Sequence, residues 1–314
     1  ETDHPMLFLA KNDPDTLYYH EALQAPDRAE FIRAMQKEID DHCKRGHWRI
    51  VQRDQLPSGT KVLPSVWSMK RKRRIKTNEI YKWKSRLTVH GGRQIHGVHF
   101  WETYSPVVTW ASIRLVLILA LIENWYTRQL DFVLAYPQAQ IETDLYMEIP
   151  AGIEYKGLSS KKYVLQLVRN LYGQKQAGRI WNKHLDAGLR AIGFKPSQVD
   201  ECVYFKDGMI LLIYVDDCIV AAKDPKDIDD LITTLKSKPY NFDVTDEGDI
   251  TDYLGVNIEK TEDGKFLLTQ PNLINAILQD LNFTKTAPKT RETPMKQNCV
   301  LHKDEDQPEH QASW

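Results

Sequence analysis

The sequence predicts an α+β fold, an antiparallel sheet packed on helices, from three observations. In "GMILLIYVDDCIVAAKD", residues 208–224, two short apolar runs flank Asp216 and Asp217. Such runs split by two turn-type residues read as a β-hairpin, here with acids at its tip. A second strand pair, Val62–Met69 and Arg86–Val89, brackets a basic block. Helical segments lie before, between and after these hairpins, marked by apolar residues at i, i+4 spacing or by caps.

The elements follow in order. Ala29–Arg45 carries Phe31, Met35 and Ile39 on one helical face, Gly46 ends it, and His47–Val51 is extended. Thr109 or Ser112 caps a mostly buried helix that runs to about Asn124. Arg128–Tyr136 is a strand leading into a loop, and Leu145–Ile149 is another strand. Arg179–Ile192 is a helix closed by Gly193, where the absence of a Cβ suits a left-handed cap. After the acidic hairpin (Met209–Val215 and Cys218–Ala222), Pro225–Ser237 forms a helix with acids in its first turn, as its dipole prefers. Tyr253–Glu259 and Lys265–Thr269 pair around Glu262-Asp263-Gly264, Pro271–Leu281 starts a last helix, and the tail beyond Thr293 is polar and frayed.

A chain of 314 residues, 42% apolar and 27% charged, can bury the cores of two or three subdomains. Its longest apolar run, Leu115–Ile122, is too short to span a bilayer, so no membrane partner is expected. No charged-then-apolar leader opens it, which argues against secretion. The four cysteines (Cys43, Cys202, Cys218, Cys299) form no C-x-x-C pair and read as reduced thiols. His90, His96 and His99 read as a solvated loop rather than a zinc site.

Net charge is −1, but residues 61–100 hold eleven Lys or Arg against Glu79 alone, leaving −11 on the rest. Such a run is often a solvated tail. Here Trp67, Tyr81 and Trp83 interrupt it between strand-patterned segments, which suits a hairpin that contacts phosphates through Lys70, Arg71, Lys72, Arg73 and Arg74.

One reading of Asp216-Asp217 is simply a good turn dipeptide. Yet two carboxylates held close raise each other's pKa unless a cation neutralises them, and an oxygen-seeking ion such as Mg²⁺ or Mn²⁺ answers that need. Strand alternation would point the two acids to opposite faces, so a third must come from elsewhere. Asp131, in "RQLDFVLAYPQ", is the candidate. Alone it would be a strand-end cap; the acids 85 residues later change its meaning.

Six stretches in order, "RLTVHGGRQIHGVHFWETYSPVVTWASIR", "QLDFVLAYPQAQIETDLYMEIPAG", "LQLVRNLYGQKQAGRIW", "GFKPSQVDECVYF", "LLIYVDDCIVAA" and "YLGVNIE", resemble the reverse transcriptase of copia-type LTR retrotransposons over nearly the whole chain. The resemblance implies a right-hand polymerase. Residues 1–105 and 139–176 would be an N-terminal segment and fingers, 106–138 and 177–260 the palm, and 261–314 a partial thumb. It implies two Mg²⁺ ions, with Mn²⁺ as the substitute, on Asp131 and Asp216, supported by Asp217. Tyr136 would sit under the nucleotide sugar and exclude a 2′-hydroxyl; without the resemblance it would be a core tyrosine. Arg86 would contact the triphosphate, joined by one of Lys76, Lys82 and Lys84, with Lys84 retained as the candidate. Tyr172, Gly173, Gln174 and Lys175 would shape the nucleotide and template pocket, and Leu254, Gly255 and Val256 would grip the primer. The implied partners are an RNA or DNA template-primer, dNTPs, and a second copy or fused integrase and ribonuclease H. The implied location is cytoplasmic particles with nuclear access.

The chain departs from the family pattern at Gln174 (commonly apolar), Gly178 (proline), Leu134 (asparagine) and Thr245 (lysine). Three readings stay open: a DNA polymerase, another palm enzyme of metal-assisted phosphoryl transfer, and a decayed nucleic-acid binder.

Overall fold

The computed structural model describes residues 15–74, 79–152, 157, 159–262 and 264–280. Lys76, Cys299 and the tail beyond Thr293 lie outside them. The N-terminal part comprises β1 (Thr16–Leu17), α1 (Tyr19–Gln24), α2 (Arg28–Lys44), β2 (Trp48–Gln52), β3 (Val62–Leu63), β4 (Ser65–Arg73) and β5 (Ile80–Val89). The middle comprises α3 (Trp110–Ile122), β6 (Tyr126–Phe132), α4 (Ala135–Gln138), β7 (Tyr146–Met147), β8 (Tyr163–Leu167), α5 (Ala177–Ala191) and β9 (Lys195–Pro196). Then come β10 (Val203–Lys206), β11 (Met209–Tyr214), β12 (Asp217–Ala222), α6 (Pro225–Lys236), β13 (Val244–Gly248), β14 (Asp252–Tyr253), β15 (Val256–Lys260) and β16 (Phe266–Thr269). These form one compact unit; α7 (Pro271–Asp280) belongs to a second, which begins at Gln270.

A six-stranded antiparallel sheet, ordered β13-β6-β12-β11-β10-β9, occupies the centre of the first unit. Two of its inner strands, β11 and β12, are apolar without alternation because both their faces are covered. Leu211, Ile213, Cys218, Val220 and Ala222 face one core, with Trp181 and Leu185 of α5 and Ile228 and Leu231 of α6. Ile210, Leu212, Ile219 and Ala221 face another, with Ile113, Val116 and Leu117 of α3 and Tyr253 and Val256 of the β14–β15 hairpin.

Helix ends follow their side-chain chemistry. Thr109, rather than Ser112, caps α3: its hydroxyl accepts the Ser112 N–H at 3.2 Å. Asp224 caps α6 by accepting the Lys226 N–H at 2.9 Å. α3 is apolar all round but not mostly buried: Leu115, Ile118 and Ile122 are 57%, 52% and 68% exposed. Only the face toward the sheet is covered. The Leu145–Ile149 strand shortens to β7, which pairs with β8 and β3 in a separate four-stranded sheet.

β4 and β5 form a long hairpin in the third sheet, edged by β1. Trp67, Met69, Leu87 and Val89 pack with Phe31, Met35 and Ile39 of α2, and the Ser85 hydroxyl donates to the Phe31 carbonyl. Strand alternation therefore places Lys70, Lys72, Lys82, Lys84 and Arg86 on the opposite face. His99 is buried, not solvated, and its Nδ1 accepts the Ile95 N–H at 2.9 Å. Cys202 and Cys218 are buried free thiols.

Candidate active site

Tyr214 pairs with Asp217, so the hairpin turn is Val215-Asp216, one residue earlier than the sequence indicates. Val215 takes a left-handed conformation, φ +60°, and Asp217 opens β12. β6 lies between β12 and β13, and this order brings in the distant acid: Asp131 stands opposite Asp217 on one side and Thr245 on the other. The Phe132 N–H donates to the Asp216 carbonyl at 2.9 Å. Residues 132 and 216 are thus a hydrogen-bonded pair, and Asp131 and Asp217 a non-hydrogen-bonded one, the class with Cα atoms only about 4.5 Å apart. Both side chains emerge on the face that carries Ile219 and Ala221.

Burial, then Asp216, then Asp131 push the Asp217 carboxyl up to about 6. Asp131 is raised by burial first, then by Asp216 and Glu247, while Lys84 and Lys72 pull it down. Among the described residues no donor hydrogen-bonds to a carboxyl oxygen of Asp131, Asp216 or Asp217, and no three His, Cys, Asp or Glu side chains already form a metal cage. An all-oxygen set without protein donors fits a hard divalent ion. Mg²⁺ commonly keeps several waters and takes one or two carboxylates, so it needs no closed cage.

A stack of three side chains lies within electrostatic reach of these acids. The Arg86 guanidinium lies 3.8 Å from the centroid of the Tyr172 ring, and the Tyr172 and Tyr136 rings are 4.7 Å apart. Both phenols are raised, by burial first and also by Asp216. Lys84, on the same strand face as Arg86, is lowered to about 8 by burial, then by Arg86 and Lys72.

Two glycines hold Tyr172 against the end of β5. The Val89 N–H donates to the Tyr172 carbonyl at 2.9 Å, and a Cβ on Gly173 (φ +86°) would meet the Val89 carbonyl oxygen at 2.2 Å. A Cβ on Gly91 would meet the Gly173 oxygen at 2.1 Å. Gln174 and Lys175 do not join the stack: among the described residues the buried Gln174 amide has no hydrogen-bond partner, and the Lys175 ammonium lies 4.8 Å from the Phe100 ring centroid. Leu254 and Gly255, both at positive φ, form the turn between Tyr253 and Val256. The Tyr253 hydroxyl donates to the Asp217 carbonyl at 3.2 Å, which ties that turn to the acids.

The basic run divides. Arg71 and Arg73 project toward the α2 side, where Arg71 makes a bidentate pair with Asp27 (2.7 and 2.8 Å) and Arg73 one with Asp15 (2.7 and 3.0 Å). Asp27 also accepts the Trp83 indole N–H at 2.6 Å and is held well below the usual carboxylate range, chiefly by Arg71. Two of the five expected phosphate contacts are thus committed inside the fold. Arg74 lies 5.6 Å from the Tyr81 ring centroid. Lys72 is different: its charge lowers the pKa of both Asp131 and Asp217. Period-two alternation in the sequence carried that distinction. Trp181 and Tyr253, which bond the backbone of the acid hairpin, had no sequence signal beyond their place in matched stretches.

Comparison with known proteins identifies the family of the chain. The family described as "Reverse transcriptase (RNA-dependent DNA polymerase)" matches residues 46–297. The chain is 33% identical over 298 residues to the Retrovirus-related Pol polyprotein from transposon TNT 1-94 of Nicotiana tabacum, covering 93% of this chain and 21% of that protein. It is 31% identical over 290 residues to the Pol polyprotein from transposon RE1 of Arabidopsis thaliana, covering 91% of this chain and 19% of that one. With the Transposon Ty1-DR5 Gag-Pol polyprotein of Saccharomyces cerevisiae it shares 28% over 305 residues, 93% and 17% of the two chains. The chain spans about a fifth of the length of these relatives. It belongs to the reverse transcriptase (RNA-dependent DNA polymerase) family, in the branch carried by copia-type retrotransposon Pol polyproteins.

Proposed function

We propose that this chain extends a primer by template-directed DNA synthesis from dNTPs, on RNA or DNA, in the replication of a retrotransposon. The observation that carries the proposal is the Asp131–Asp217 cross-strand pair beside Asp216 in the turn. Asp131 and Asp216 would hold two divalent ions, with Asp217 supporting them. Bound there, the ions would supply an acidified primer 3′-hydroxyl and charge neutralisation on the phosphates. The chain's own residues do the positioning that phosphoryl transfer mostly requires. Arg86, stacked on Tyr172, presents a planar cation to the triphosphate. Lys84 and Lys72 add positive charge on the same face. Tyr136 stands under the sugar as a steric gate, and the turn at Leu254-Gly255-Val256 holds the primer strand.

In this reading residues 106–138 and 177–260 are palm, 1–105 and 139–176 fingers, and 261 onward the start of a thumb. Since the relatives are Pol and Gag-Pol polyproteins, we place the chain beside further domains in a longer product, with retrotransposon particles as its location.

The test is extension of a labelled DNA primer on an RNA template with Mg²⁺ and dNTPs, with Asp216→Ala in parallel. Extension by the parent and none by the variant is the expected result. Template-primer binding without extension by either would favour a decayed element.

A further inference from the structure

Three consecutive carbonyls at the acid hairpin each accept a hydrogen bond from a different element. The Trp181 indole N–H, on α5, donates to Val215 O at 2.7 Å. The Phe132 N–H, on β6, donates to Asp216 O at 2.9 Å, and the Tyr253 hydroxyl, on β14, donates to Asp217 O at 3.2 Å. The two side-chain donors are buried in cores on opposite faces of the sheet, Trp181 at 1% exposure and Tyr253 at 0%. Trp181 is further fixed edge-on against Phe132, with ring centroids 5.2 Å apart.

The arrangement addresses a specific difficulty. Val215 is β-branched and left-handed, a combination sterics disfavour. Left to itself the turn would relax, rotating the 215 carbonyl and swinging Asp216. Relaxation would strand a buried indole N–H, so the bond and the unusual φ hold each other in place. Tyr253 acts from the other face, and it directly precedes the Leu254-Gly255 turn.

We propose that Trp181 and Tyr253 are positioning residues, which clamp the backbone of the acid hairpin so that Asp216 and Asp217 are aimed at the Asp131 side before any cation or nucleotide arrives. Preorganised groups need no rearrangement at the moment of reaction. Through Tyr253 the clamp also couples the 254–256 turn to the acids. The kinetic consequence rests on the polymerase reading; the backbone consequence does not.

Tyr253→Phe keeps the ring and deletes the donor alone, whereas Trp181→Phe deletes the donor together with the pyrrole part of a buried indole. Two quantities are measured: amide hydrogen exchange of residues 213–218 in the metal-free protein, and the Mg²⁺ concentration that half-saturates primer extension. We expect exchange in 213–218 to quicken about ten-fold or more while β10 is unchanged, a local opening rather than a global one. Half-saturating Mg²⁺ should rise about three- to ten-fold with the dNTP KM within about two-fold, because the loss falls on aim rather than on nucleotide contacts. Folded variants with unchanged exchange and unchanged Mg²⁺ demand would overturn the clamp, as would exchange that quickens equally across the sheet. If the parent extends no primer, the polymerase reading fails, and local exchange still decides the clamp. Should Trp181→Phe not fold, Tyr253→Phe gives the same two readouts.

Discussion

Asp131 and Asp217, 86 residues apart in sequence, stand directly opposite one another on neighbouring antiparallel strands as a non-hydrogen-bonded pair. Like charges facing across a sheet are destabilising, and here they also sit half-buried beside Asp216. The fold therefore bears an electrostatic cost that a bound cation would remove.

That cost has a pH signature. The folded-state pKa of Asp217 is raised from 3.8 to about 6, so the folded protein holds a proton that the unfolded chain releases. The resulting stability is fully present below the unfolded value and lost as pH rises through the folded one. In metal-free protein, Asp217→Asn should match the parent near the unfolded pKa and melt about 2–4 °C higher at neutral pH, roughly 1 kcal/mol after allowance for solvent screening. Thermal melts across this range check it; a variant that melts lower at neutral pH would show the carboxylate to be stabilising.

Leu134 takes a left-handed conformation, φ +50° and ψ +54°, at the start of α4. A γ-branched apolar residue is poorly suited to it, whereas asparagine visits the region readily. This gives a physical reason for the asparagine common here in the family pattern. Leu134→Asn should stabilise the fold by about 0.5–1 kcal/mol, read from denaturant midpoints at constant m.

Tyr136 is packed on Tyr172, so its ring is held rather than free to turn aside. Tyr136→Ala should raise rNTP incorporation relative to dNTP by about ten-fold or more, the order that removing one steric element yields. Parallel single-nucleotide extensions with each sugar measure the ratio. Unchanged discrimination would assign the tyrosine to the core.

The two faces of the β4–β5 hairpin should separate by mutation. Lys72→Ala is expected to lower the salt dependence of template-primer binding by about 0.7–0.9 in log–log slope, one phosphate contact. Arg71→Ala removes the partner of partly buried Asp27, so it should cost stability, about 2–3 kcal/mol, with the slope unchanged. The reverse pattern would put the phosphate-facing side of the hairpin on the other surface.

Much of this fold was legible because its signals are local. The β-branched runs of β11 and β12, the Phe31-Met35-Ile39 face of α2 and the Thr109 and Asp224 caps each depend on near neighbours. The turn of the acid hairpin was misplaced by one residue because Val215 reads as strand, and its left-handed φ is upheld by contacts from Trp181 elsewhere in the chain. The Asp131–Asp217 pairing depends on strand order, with β6 inserted between β12 and β13, which no local pattern encodes. The exposure of Leu115, Ile118 and Ile122 was hidden for a related reason: an apolar helix does not announce which face will be covered.

The central claim is that Asp131 and the hairpin acids hold cations together. Mn²⁺ binding to the parent and to Asp131→Asn and Asp216→Asn, followed by the loss of the free-ion electron paramagnetic resonance signal, tests it most directly. The account predicts that each single substitution weakens binding by about ten-fold or more, and that the double variant is little worse than either, since both acids serve one site. Retention of parent-level affinity by Asp131→Asn would contradict it.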